Sequence, residues 1–221
     1  MQVLIIGASR GIGLELAQQY LDDGAAVTAT ARDDDGLARL TARGARALRL
    51  DVADAASASA LAWPLDGEAF DVVIYAAGVY GPRSSGLQTP TAEAFDQVMH
   101  TNVLGAMRVL PQLAEVLAPQ ARVAVVSSRM GSMALRSSAS GWLYRASKAA
   151  LNSVLADVAL TWQGRALCVA LHPGWVRTDM GGPGADLSVS DSVAAMRRTL
   201  ASLTAADHGR FFNFDGTPLA W

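Results

Sequence analysis

Gln2-Val3-Leu4-Ile5-Ile6-Gly7-Ala8-Ser9-Arg10-Gly11-Ile12-Gly13 is the stretch whose reading decides the fold. An apolar, β-branched run reads as a strand from Gln2 to Ile6 and passes directly into three glycines. A helix then reads from Gly11 to Asp22. Glycine accepts backbone angles closed to other residues, so the chain turns sharply and a charged group can approach the amides. The helix that opens there adds unpaired N–H groups and the positive end of its dipole, a natural seat for a pyrophosphate. The spacing is G-x3-G-x-G, which differs from the commoner G-x-G-x-x-G dinucleotide fingerprint.

Outward from this turn, short β-branched runs alternate with helical patterns. Strands are expected at Gln2–Ile6, Ala26–Thr30, Ala45–Leu50, Val72–Ala76, Arg122–Ser127, Ala166–Leu171 and Phe211–Phe214. Helices are expected at Gly11–Asp22, Asp34–Arg43, Ala55–Ala62, Thr91–His100, Val103–Ala118, Trp142–Trp162 and Ser190–Leu203. Such alternation implies βαβ units and an α/β fold. With right-handed crossovers it becomes one doubly wound parallel sheet of about seven strands, helices on both faces, over residues 1–221 as a single domain. No linker, repeat or low-complexity tract divides the chain, and ligands of such sheets sit at the carboxyl ends of the strands.

Composition bounds the function. Hydrophobic residues make up 51% and charged residues 17% of the 221, so much of the chain is expected to be buried. A net charge of −2 without a basic run argues against nucleic acid or an anionic membrane as partner. Cys168 lies in the apolar run Ala166–Leu171 and reads as inert core; a lone cysteine closes no internal disulfide, which suits a reducing cytoplasm. His100, His172 and His208 are far apart, with no metal-ligand spacing. No signal segment is expected before the first strand, and no apolar stretch is long enough to span a bilayer.

Of the eighteen Lys+Arg residues only Lys148 is lysine. It stands four residues after Tyr144, in Tyr144-Arg145-Ala146-Ser147-Lys148, inside an expected long helix. Residues four apart share a helical face, so phenol and ammonium are stacked together. A compact point charge fits beside a phenol where a planar guanidinium does not; taken alone, the residue also reads as a chance surface lysine in an arginine-biased composition.

The glycine turn together with Tyr144-x-x-x-Lys148 resembles the short-chain dehydrogenase/reductase family, and the resemblance runs nearly the whole chain in the family's order. Asp51-Val52 is similar to the pair that contacts adenine. Ala76-Ala77-Gly78 is similar to the end of an Asn-Asn-Ala-Gly motif, with Tyr75 where asparagine is usual. Asn102 matches the helix asparagine, and His172-Pro173-Gly174-Trp175-Val176-Arg177-Thr178 matches the segment along the nicotinamide. Tyr144–Asn152, the run Pro173–Met180 and the tail Gly209–Trp221 resemble the C-factor and sniffer-type carbonyl reductases.

The resemblance implies an oxidoreductase that moves a hydride between a nicotinamide and a small or medium carbonyl or alcohol. Tyr144 is then the general acid, and Lys148 is expected to lower its pKa from about 10 and to hold the ribose. Ser128 is the expected second donor to the carbonyl oxygen; Ser127 should face the other way, and Ser132 is the rival. Asn102 reads either as the holder of a relay water or as the N-cap of Val103–Ala118, two compatible roles. The implied cofactor site comprises Gly7, Ser9, Arg10, Gly11, Ile12, Gly13, Arg32, Asp51, Val52, Ala77, Gly78, Asn102, Tyr144, Lys148, Pro173, Gly174, Val176 and Thr178. Ala31 stands where NAD-preferring sites place an acid, and Arg32 with Arg10 suits a 2′-phosphate. NADP(H) is therefore expected over NAD(H), with Asp33-Asp34-Asp35 read as the start of a helix.

Tyr80, Trp142, Trp175 and Met180 are expected near the substrate, although each also fits ordinary core. Residues 177–190 read as a short lid. Val103–Ala118 and Trp142–Trp162 carry more apolar residues than one buried face requires; the family resemblance implies that they pair in a homodimer or homotetramer, and the alternative is close packing against the sheet. Two other readings stand beside the reductase. A nucleotide-binding signalling protein of the C-factor type has no need for a phenol and amine pair, and a sugar-nucleotide epimerase usually needs a larger C-terminal domain.

Overall fold

The computed structural model describes residues 1–221. Eight strands form one sheet in the order β3-β2-β1-β4-β5-β6-β7-β8. They are β1 (Gln2–Ile6), β2 (Ala26–Ala31), β3 (Arg46–Arg49), β4 (Phe70–Tyr75), β5 (Leu117–Val126), β6 (Ala166–His172), β7 (Arg210–Asn213) and β8 (Pro218–Leu219). Every pairing is parallel except that of β7 with β8. β8 is the strand that the sequence pattern does not announce. The turn at Gly216 folds the tail back on β7, and a two-residue strand containing proline carries almost no periodic signal.

The helices are α1 (Gly11–Asp22), α2 (Asp34–Ala42), α3 (Ala55–Ser59), α4 (Ala92–Met99), α5 (Gly105–Val109), α6 (Trp142–Thr161) and α7 (Val189–Ser202). Side chains alternate across the strands, so Val3 and Ile5 pack under α1, α2 and α7 while Leu4 and Ile6 pack under α5 and α6. Two buried cores result, one on each face. β1 lies between β2 and β4, so the strand order reverses at β1 and a crevice opens beyond the carboxyl ends of β1 and β4.

One expected boundary is wrong in an informative way. Thr91–His100 and Val103–Ala118 are a single helical run: α4 passes through a π turn at His100–Leu104 into α5, then tightens to a 3₁₀ stretch at Leu110–Val116. Asn102 therefore caps nothing; it sits mid-run in the π turn, a feature associated with functional positions. The chain turns extended at Leu117, before Pro119, which disfavours helix in the residue ahead of it.

Candidate active site

The crevice starts from glycines that no other residue can replace. Gly7 has φ +87°, and a Cβ there would lie 2.6 Å from the backbone nitrogen of Ala77 at the end of β4. A Cβ on Gly13 would lie 2.1 Å from the Gly7 carbonyl oxygen. Strand end, turn and helix thus meet at backbone distance. Arg10 at the N-cap of α1 makes no capping bond with its side chain, which leaves first-turn N–H groups free for an anionic ligand. The cleft holds about 460 Å³ and runs from Arg32 and Asp51 at one end to Tyr144, Lys148 and Thr178 at the other. A close backbone cradle with free amides and an elongated cleft fits a dinucleotide.

At the Arg32 end the aspartate run is already engaged. Asp33 is the N-cap of α2 and accepts a 2.7 Å bond from the Gly36 N–H, while Asp34 pairs with Arg49. Arg32 remains exposed, its Nε 3.9 Å from Asp33. Arg10 does not join Arg32; it reaches across to Asp179, 2.8 Å away, in the segment after Thr178. Both partners are largely in water, so this pair contributes little to stability. Two contributors escaped the sequence reading. Arg39 donates 3.0 Å to the Ser9 carbonyl and ties α2 to the glycine turn. Gly36 lets α2 close on Ala31 and Ser9, since its Cβ would come within 2.8 Å of both. Neither has a local signal, because the glycine turn at Ser9 that both meet lies about thirty residues before them.

At the other end α6 presents Tyr144 and Lys148 on one buried face, 7% and 4% exposed. The Lys148 Nζ lies 5.8 Å from the centre of the Tyr144 ring and donates 2.9 Å to the Val126 carbonyl at the end of β5. A Cβ on Gly78 would sit 3.3 Å from both this amine and Asn102 Oδ1, and one on Gly131 would fall 2.9 Å from Lys148 Cβ. Gly78 thus lies against the amine, and Gly131 lets the turn after β5 pack on the Lys148 backbone and Cβ. Burial lowers the Lys148 ammonium to about 8. The expected lowering of Tyr144 is not found: burial pushes the phenol up to about 12, and the Ser128 hydroxyl only partly offsets this. Desolvation, with Tyr80 adding in the same direction, outweighs the Ser128 bond.

Asn102 is fully buried and spans two segments. Its amide accepts from the Val79 N–H at 2.8 Å, and donates to the Val79 carbonyl at 2.8 Å and the Ser147 hydroxyl at 2.9 Å. It thereby fixes the chain after β4 against α6. Tyr75 points away from the cleft into the core, where Gly105 makes room for its hydroxyl and Thr101 supplies a 3.5 Å acceptor. It packs the strand end, as its position suggested.

Among the serines, Ser128 follows β5, is buried, and caps a 3₁₀ turn by accepting from the Met130 N–H at 3.1 Å. Ser127, expected on the opposite side, instead lines the cleft, with its hydroxyl donating to Asn152 on α6. Ser132 is occupied elsewhere, donating 2.7 Å to the Ala220 carbonyl in the tail. Tyr80 stacks on Tyr144 with ring centres 4.6 Å apart. Trp142 is turned outward, its indole N–H bonded to the Gln88 carbonyl, and Trp175 bonds the Gly181 carbonyl at half exposure. Pro173 and Thr178 line the cleft, whereas Gly174 and Val176 lie behind it, packed on Leu187. Ser128 and Asn102 likewise flank the cleft rather than line it. The Cys168 thiol is buried and pushed up to about 12, consistent with inert core.

A family described as short chain dehydrogenase matches residues 1–186. The C-signal of Myxococcus xanthus is 40% identical over 154 residues, which cover 68% of this chain and 92% of that protein. The 1-hydroxy-2-glutathionyl-2-methyl-3-butene dehydrogenase of Rhodococcus sp. (strain AD45) is 32% identical over 228 residues and 99% of both chains. Among solved structures, the carbonyl reductase Sniffer of D. melanogaster superposes with a TM-score of 0.88 at 29% identity, covering 100% of this chain and 99% of that one. A carbonyl reductase from Pseudomonas aeruginosa PAO1 in complex with NADP gives 0.83 at 35% identity, with the same coverage. No helix is long and apolar enough to cross a membrane. A match that takes in the glycine turn, the Tyr–Lys helix and the segment along the far wall of the cleft is that of a family member: the chain belongs to the short-chain dehydrogenase family.

Proposed function

We propose that the protein is an NADP(H)-dependent carbonyl reductase or alcohol dehydrogenase acting on small or medium substrates. One observation carries the reading: Tyr144 and Lys148 share a buried helix face that opens on the same cleft as the glycine turn. The dinucleotide, when bound, supplies or accepts the hydride. The chain does the rest. The Tyr144 phenol, kept protonated by burial, holds the proton that the carbonyl oxygen needs during reduction. Ser128 adds a second hydrogen bond to that oxygen as negative charge builds on it. The Lys148 ammonium lies below the phenol and, lowered to about 8, exchanges protons near neutral pH. Asn102 braces the segment after Gly78 against α6, so that the cleft wall and the phenol keep their spacing.

NADP(H) is favoured over NAD(H) because Arg32 is exposed at the ribose end of the cleft with only a long 3.9 Å pairing to Asp33, while Asp33 and Asp34 are themselves engaged in a helix cap and an ion pair with Arg49. A related carbonyl reductase holds NADP. Residues 177–190 act as the substrate lid, closed on itself by bonds such as Arg177 N–H to the Leu187 carbonyl. The exposed apolar residues Phe95, Met107 and Leu160 suit a homodimer or homotetramer, in the cytoplasm.

The likeness to the C-signal favours a second reading, a nucleotide-binding signalling protein in which turnover is incidental. Tyr144→Phe separates the two. The reductase reading expects turnover of aromatic aldehydes to fall by about 10³-fold while NADPH still binds by fluorescence titration. A wild-type protein that binds NADPH but reduces no aldehyde, ketone or quinone overturns the reductase reading.

A further inference from the structure

The substrate side of the cleft has an unusual charge distribution. Residues 72–92 and 116–156 contain no aspartate or glutamate, yet they carry Arg83, Arg122, Arg129, Arg136, Arg145 and Lys148. These two segments supply Tyr80, Ser128 and Tyr144, so the reacting groups lie in walls without a carboxylate. Arg122 belongs to the opposite end of the sheet, where it donates to the Leu200 and Leu203 carbonyls. Arg83 adjoins the site through Tyr80 and Arg129 through its neighbour Ser128, and none of Arg83, Arg129, Arg136 and Arg145 forms an ion pair. The seven pairs in the molecule all involve other arginines.

Arg83 is the member best placed to meet a substrate. Its guanidinium lies 5.5 Å from the centre of the Tyr80 ring, and that ring stacks on Tyr144 at 4.6 Å. The cation is thus two stacking distances from the reacting phenol. Its single hydrogen bond goes to a neutral acceptor, the Met180 carbonyl at 3.1 Å. Arg129 follows Ser128 directly, is exposed, and adds its charge to the burial that holds His172 down to about 4. Arg145 is 8% exposed and bonds only the Ser140 carbonyl through Nε. The nearest acids in neighbouring segments are engaged or outside: Asp179 holds Arg10, while Glu93 and Asp96 are exposed on α4.

We propose that the substrate carries an anionic group, a carboxylate or its equivalent, about one ring-width from the carbonyl, recognised by Arg83 and Arg129. This rests on the reductase reading and deepens it. A guanidinium bonded to a neutral carbonyl gains when a carboxylate takes its place, because charge-assisted bonds are roughly twice as strong. The aromatic surface of Tyr80 supports the cation from behind. A ring or short chain between the two groups spans from Tyr144 to Arg83.

The test is a matched pair of aldehydes, 4-carboxybenzaldehyde and methyl 4-formylbenzoate, reduced by NADPH. The ester is the more electron-withdrawing substituent, so intrinsic reactivity runs against the expected preference. The expected kcat/KM ratio is at least about tenfold in favour of the carboxylate at low salt. It should shrink toward one in 0.5 M salt and in the Arg83→Gln/Arg129→Gln double variant. In titration calorimetry with the wild-type enzyme and NADP⁺, 4-(hydroxymethyl)benzoate should bind more tightly than its methyl ester. A wild-type ratio of one or below overturns the inference and leaves the reductase reading intact. So does a preference that survives unchanged in the double variant. Failure to reduce either aldehyde, or any in a wider panel, overturns the reductase reading itself.

Discussion

The two ends of the cleft are built by different means. At the glycine turn the backbone does the work: Gly7 and Gly13 bring β1, β4 and α1 to distances at which a single Cβ does not fit. At the substrate wall side chains do it, through Tyr80 on Tyr144 and Arg83 on Tyr80. A backbone-built surface reads any ligand with the right diphosphate geometry and tolerates almost no substitution. A wall assembled from side chains on loops can change its ligand without changing the sheet. The difference implies that cofactor binding and substrate choice are separable by mutation.

The sharpest way to break that contrast is Gly7→Val. With φ +87° and the Ala77 backbone 2.6 Å away, the substitution should cost at least about 4 kcal/mol and abolish NADPH binding. Thermal melting and fluorescence titration check both effects. Retained tight binding would mean that side chains, not the glycine backbone, hold the cofactor.

Next in size is Lys148→Arg, which keeps the charge but not the shape. The amine sits close against Gly78 and donates to the Val126 carbonyl, a space that fits an ammonium and not a planar guanidinium, so kcat should fall by about 10²-fold. Near-normal steady-state kinetics would remove the case for lysine at this position. Lys148 also predicts a pH effect. Its folded pKa of about 8 lies below the unfolded value, so between pH 8 and about 10.4 the unfolded chain binds more protons. Stability should therefore rise with pH from about 8 to about 9, by roughly 1 kcal/mol; above that the Cys168 thiol, pushed up to about 12 in the fold, ionises first in the unfolded chain and cancels the gain. Above pH 10 the raised Tyr144 reverses the trend, because the unfolded phenol ionises first. Lys148→Met should be more stable than wild type at pH 7 by denaturant melting, and should lack the rise.

Arg32→Ser sharpens the comparison at the ribose end, where side chains again decide. NADPH affinity should drop about tenfold relative to NADH, read as a ratio of dissociation constants. The smallest effect is expected from Tyr75→Phe. Losing a 3.5 Å bond to Thr101 should change stability by less than about 1 kcal/mol and leave kinetics unaltered. A larger kinetic effect would show that Tyr75 supports the π turn that carries Asn102.

Local chemistry was readable where it is short-range. The strand-to-glycine-to-helix passage gave the start of the sheet, and the four-residue spacing placed Tyr144 and Lys148 on one face before any coordinates. Asp33 reads as a cap and is one. What could not be read depends on partners far along the chain. The π turn at Asn102 is set by Val79 and Ser147, 23 and 45 residues away. Arg10 chooses Asp179, 169 residues on, over its expected neighbour Arg32.

By itself the sequence determined a doubly wound sheet, a backbone-lined cleft for a dinucleotide and a phenol–amine pair beside it. Turn conformation and helical spacing are properties of adjacent residues, which is why these were legible. Tertiary structure alone decided how those groups behave. It buried the phenol and the amine until desolvation, not their mutual charge, governed both proton affinities. It also enclosed them in walls where arginines stand without carboxylates, a pattern that acquires meaning only when separate segments close around one site.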